Sequence, residues 1–158
     1  DAPLFLFHLM EFSGLRYSID VEELNARWAK KEFIDSWSQL VIKSTEDIVD
    51  IVTHAPPTGI YHMADDGSVS YDRFDYSRQA IESESEAFFL RITGPGDYRY
   101  EGADLGILIT RGRVMTTRFD LNERARHWIR GIKRLYAHRP LTEVQRDEAP
   151  AAGSFKIL

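Results

Sequence analysis

Arg126, Arg130, Lys133 and Arg134 lie close together in the stretch Asn122 to Pro140 of a chain whose formal net charge is -5. A guanidinium presents planar paired donors that match two anionic oxygens, and it stays charged at any relevant pH. Spaced three and four residues apart, these groups share one side of a helix and suit phosphate or carboxylate recognition. Arg111, Arg113 and Arg118, in the segment just before, extend the candidate binding set. A cationic stripe of this kind is a footprint of nucleic-acid binding and also fits an acidic protein surface. The competing use of the same residues is as a solvated helix face, or as ion-pair partners for carboxylates elsewhere in the chain.

Charge is divided unevenly. Residues 1–100 carry 9 Lys/Arg against 18 Asp/Glu, whereas residues 101–140 carry 9 against 4. The two stretches therefore have opposite sign.

Other chemistry is poorly represented. With no cysteine, the chain has no disulfide, thiolate metal site or thiol nucleophile. The same absence agrees with a reducing compartment, so a cytoplasmic location is expected. The five histidines, at 8, 54, 62, 127 and 138, show no spacing that sets two imidazoles on one metal. Asp65, Asp66, Asp72 and Asp75 surround a turn and read as solvated carboxylates. Asp97, Glu101 and Asp104 precede the basic segment, the order a metal-dependent phosphoester hydrolase would need. No lysine occurs between Lys43 and Lys133, so the acid-and-lysine pairing that orients a water in many nucleases is missing. Gly94-Pro95-Gly96 lacks the spacing of a phosphate-cradling loop, and no serine sits in a nucleophile elbow. No catalytic residue, metal ligand or cofactor is assigned on these grounds.

The elements that must position the basic residues follow from periodicity. Ala125, Trp128, Ile129, Ile132, Leu135 and Tyr136 fall within an arc of about 120° on a helix running from Asn122 to Arg139. That stripe faces a core and turns the cations outward. Asp20 followed by Glu23 is a capping signal, and Ala26, Ala29, Phe33, Trp37 and Leu40 predict a second amphipathic helix from Val21 to about Val41. Leu4 to Met10 is apolar on both parities and reads as a strand, returning through Leu15–Ile19 after a turn at Ser13-Gly14. Ser44 and Asp47 mark a short helix, which Pro56-Pro57 would end.

Beyond Gly59 the pattern is strands and tight turns. Asp65-Asp66-Gly67 joins a hairpin, and Ala87–Thr93, Asp97–Glu101, Asp104–Thr110 and Arg113–Phe119 follow as an antiparallel meander. The expected fold is α+β: a mainly antiparallel sheet of about five to seven strands packed on two amphipathic helices. At 158 residues a single domain over 1–141 is expected, with 142–158 as an extended tail. The longest apolar run is far below the roughly 20 residues that span a bilayer, and Asp1-Ala2-Pro3 is not the basic opening of a signal peptide. A membrane partner is thus not expected.

The functional expectation is a non-catalytic binding module for an anionic macromolecule, either nucleic acid or an acidic protein surface. The alternatives are the metal-dependent phosphoester hydrolase built on Asp97, Glu101 and Asp104, and a protein-interaction domain, inhibitor or adaptor, acting through its acidic first hundred residues.

Overall fold

The computed structural model describes residues 2–14, 16–30 and 36–148. The chain divides into two compact units, Asp1–Ile34 and Asp35–Leu158.

In the first unit, α1 spans Ala2–Phe12 and α2 spans Val21–Trp28. The strand expected at Leu4–Met10 is a helix instead. Its sequence contains no β-branched residue, Leu, Met and Ala are good helix formers, and Pro3 sits in the first turn, where its missing N–H costs nothing. Residues 16–20 are not the predicted return strand. At α2 the cap forms as expected: the Glu23 N–H donates to Asp20 Oδ1 at 2.8 Å.

That helix stops at Trp28, however, and does not run on to Val41. Residues Trp37–Lys43 form strand β1, which opens the second unit. Apolar residues at 37, 40, 41 and 42 satisfy either period locally. The pairing of β1 along the whole length of a later strand decides between them, and β-branched Val41 and Ile42 suit that pleated surface.

The second unit continues with β2 (Asp50–His54), β3 (Gly59–Met63), β4 (Val69–Arg73), β5 (Glu86–Arg91), β6 (Tyr98–Arg99), β7 (Asp104–Arg111), α3 (Glu123–Arg134), β8 (Ala137–Pro140) and α4 (Glu143–Glu148). The fold is α+β. A five-stranded sheet has the order β1-β7-β5-β3-β4, and a three-stranded sheet the order β6-β2-β8, with every neighbouring pair antiparallel. The β3–β4 hairpin closes at the predicted turn, where Gly67 takes φ 79°. Four details differ from expectation. The Ser44–Asp47 stretch is not helical. The Asp97–Glu101 segment contributes only two residues, and to the smaller sheet. Arg113–Phe119 is a loop closed by a single bridge between Met115 and Leu121. The last large helix ends at Arg134, because residues 137–140 are taken up as β8 against β2.

One core joins both sheets to α3. Leu40 and Ile42 of β1, Val52 of β2, Tyr61 of β3, Phe89 of β5 and Leu108 of β7 meet Trp128, Ile132 and Tyr136. The opposite face of the large sheet carries a smaller cluster of Ile60 and Phe88, capped by Ile81 from the β4–β5 connection. Among the described residues no helix is long and apolar enough to cross a membrane.

The β4–β5 connection is pinned by Glu86. Its Oε1 accepts from Arg73 Nη1 at 2.8 Å and its Oε2 from the Glu82 N–H at 2.7 Å. The Arg73 hydrogen bond outweighs the burial of the group, and its carboxyl lies below the usual carboxylate range. A carboxyl depressed in the folded state stabilises above its unfolded pKa and loses that contribution as pH falls through the folded value. Unfolding free energy should therefore fall below about pH 4, and less steeply in Glu86→Gln. Urea titrations across that range check this, and equal slopes in the two proteins would remove Glu86 as the cause.

Candidate anion-binding site

The basic residues are presented by α3, and the helix is well specified locally. Asn122 caps it, its Oδ1 accepting from the Ala125 N–H at 2.9 Å. Glu123 occupies the first turn and Lys133 and Arg134 the last, each matched to the sign of the helix end. Ala125, Trp128 and Ile132 are fully buried, so the opposite side is held outward.

On that side Arg126, Arg130 and Arg134 are exposed, at intervals of four residues. Among the described residues none of the three has a carboxylate partner, whereas Arg73, Arg99 and Arg124 do. Lys133 is half-buried and donates to Thr45 Oγ1 at 3.0 Å. Arg113 and Arg118 are exposed in the loop before α3.

Arg111 is used differently. Its Nε donates to the Ile81 carbonyl at 2.8 Å, and its guanidinium lies 4.8 Å from the centre of the Trp37 ring. It braces the β4–β5 connection, and a ligand would have to displace it from both contacts. Arg124 does similar work at the end of β7: its Nη2 donates to the Arg111 carbonyl at 2.7 Å and its Nη1 pairs with Glu84 at 3.1 Å.

Arg130 and Arg134 also form one wall of a cleft of about 380 Å³, whose other wall is the β3–β4 turn at Asp66, Gly67 and Ser68. His127 also lines it. Two glycines set the distance between the walls. A Cβ on Gly131 would stand 2.3 Å from Val69 Cγ2, and one on Gly67 would stand 2.1 Å from His127 Nδ1. Neither position accepts a side chain without movement.

Asp66 is the acidic member of the cleft. Its Oδ1 accepts from the Ser68 N–H at 2.9 Å, and hydrogen bonds from Ser68 hold its carboxyl below the ordinary value. The carboxylate is thereby committed to its own turn, while the two guanidinium groups across the cleft have no partner among the described residues.

Sequence reasoning missed a second polar cluster. Arg99 of β6 donates from Nε and Nη2 to the two oxygens of Asp50 in β2, at 2.9 and 2.7 Å, and from Nη1 to Glu46 at 2.9 Å. His138 Nδ1 of β8 lies 2.7 Å from Asp50 Oδ2. The signal was a carboxylate inside the β-branched run Ile48–Val52, where a charge needs a cation for company.

Asp97, Glu101 and Asp104 are not brought together. Asp97 accepts from the Gly94 N–H at 2.7 Å, Glu101 is exposed, and Asp104 pairs with Lys43 at 2.8 Å. Among the described residues no three carboxylate or imidazole groups are placed to share a metal ion. In comparisons with known proteins, no family model, no curated protein and no solved structure matches this chain.

Proposed function

We propose that the chain is a non-catalytic binding module that holds an anionic macromolecule against the outward face of α3, with Arg126, Arg130 and Arg134 as the principal contacts. The observation that carries this reading is their state: exposed, evenly spaced and without a carboxylate partner among the described residues, in a chain with enough carboxylates to pair them. Arg113 and Arg118 add charge beyond the start of the helix, and Lys133 at its margin. Arg111 belongs to the frame. The hydrolase alternative loses support because Asp97, Glu101 and Asp104 are not placed, among the described residues, to share a metal ion.

Reversal of two cleft arginines tests the reading. Arg130→Glu with Arg134→Glu should weaken binding to polyphosphate and to a single-stranded oligonucleotide, measured by competition and by fluorescence anisotropy. The slope of log K against log salt should flatten by about two, one unit for each lost anion contact. The melting temperature should fall by only a few degrees, because both side chains are exposed and only Arg134 sits where the helix end favours a cation. Binding that ignores both the substitutions and the salt concentration would refute the proposal.

A further inference from the structure

The loop before α3 carries an outlier. Phe119 has φ 64°, the one non-glycine residue in the left-handed region among the described residues, and it is 78% exposed. A bulky side chain seldom takes this conformation, so the surroundings must impose it. They do so through Thr116. The Thr116 N–H donates to the Asp120 carbonyl at 2.7 Å, and the Phe119 N–H to the Thr116 carbonyl at 3.1 Å. The Thr116 hydroxyl accepts from the backbone N–H groups of Arg118 and Asp120, each at 3.3 Å. At its base the loop is tied to the helix start, because Asn122 Nδ2 donates to the Arg113 carbonyl at 2.7 Å.

A tightly bonded loop thus holds an aromatic ring out in water, next to Arg118 and three residues before the helix cap. Single exposed apolar residues are ordinary on protein surfaces. An exposed ring on a strained, hydrogen-bonded loop that leads into the helix whose three outward arginines lack a carboxylate partner among the described residues is not. The charge pattern says what fits. The row Arg126, Arg130, Arg134 advances about 6 Å per arginine along the helix, which suits a polymer bearing a negative charge on every unit. In a single-stranded nucleic acid every such unit also carries a flat π-face. An acidic protein would need a pocket shaped for one ring beside its carboxylates, whereas any unpaired base can stack.

We infer that Phe119 is a stacking platform for an unpaired nucleobase, and that the macromolecule held by α3 is a single-stranded nucleic acid. This rests on the anion-binding reading above and names its ligand. Arg118, next to the ring, supplies the phosphate contact nearest to the stacked base.

The test titrates the full chain with three probes: labelled oligothymidylate, polyphosphate, which has charge but no base, and polyglutamate as the acidic-protein surrogate. Phe119→Ala should weaken oligothymidylate binding by about tenfold or more, with polyphosphate binding unchanged. Phe119→Trp should retain or tighten the oligothymidylate complex, which loss of folding would not allow. If Phe119→Ala leaves oligothymidylate affinity intact, the stacking role is overturned, and the anion-binding reading survives only if reversal of Arg130 and Arg134 still weakens both phosphate polymers. If Phe119→Ala weakens polyglutamate instead, the ligand is an acidic protein and the inference fails. If the native chain binds none of the three, both are overturned.

Discussion

Asp50→Asn is expected to lower the unfolding free energy by about 3–5 kcal/mol, measured by urea denaturation. Arg99 and Asp50 are both almost fully buried, their side chains 8% and 4% exposed. The substitution keeps the shape of Asp50 but removes the charge that compensates a desolvated guanidinium. The remaining anion, Glu46, is half-exposed and reaches only one nitrogen. The smaller sheet should suffer most, since Asp50, Arg99 and His138 stand one on each of its strands, and β6 has only two residues of backbone pairing. A second protein sharpens the test. Replacing Asp50, Arg99 and His138 together by Leu, Met and Leu removes the charges along with their desolvation, and should cost less than Asp50→Asn alone. A loss under about 1 kcal/mol in the single variant would mean that water reaches the pair.

Trp128→Ala should cost a similar amount, about 3–5 kcal/mol. The indole is fully buried at the centre of the core and is the largest side chain by which α3 holds the sheets. Its loss should also weaken anion binding, because the arginines lie on the opposite side of the same helix. Trp128→Phe separates the two effects of size and polarity. It keeps much of the ring and drops an N–H that has no acceptor among the described residues, so its cost should be well below that of alanine. Urea denaturation of both variants, with polyphosphate titration of each, checks the pair. Equal losses in the two would show that the site requires the whole indole and not merely an aromatic ring.

How far the sequence disclosed this arrangement depends on the range of the deciding interaction. Helix α3 was legible because Asn122, the apolar stripe and the outward cations agree within its own turns. The β3–β4 hairpin was legible because Gly67 supplies the backbone conformation of its turn. Residues 37–43 misled because their apolar positions fit two periods, and the partner that decides, β7, lies far along the chain. In α1 the missing β-branched residues outweigh a parity argument that favoured a strand. The outward row of α3 was visible, but the second wall of its cleft was not, since nothing local tells His127 that it will meet Gly67. Arg99 and Asp50, 49 residues apart, could not be paired by spacing at all. Phe119 read as the end of a strand because its conformation is set by hydrogen bonds to the carbonyl, N–H and hydroxyl of Thr116, not by its own preference.

The two glycine contacts beside the cleft have an evolutionary consequence. Gly131 against Val69 and Gly67 against His127 fix the gap between helix and turn at close range, and the rim arginines take no part in holding it. Descendants of this chain are therefore free to exchange the rim residues, and with them the sign of the cargo they select, while the recess keeps its width.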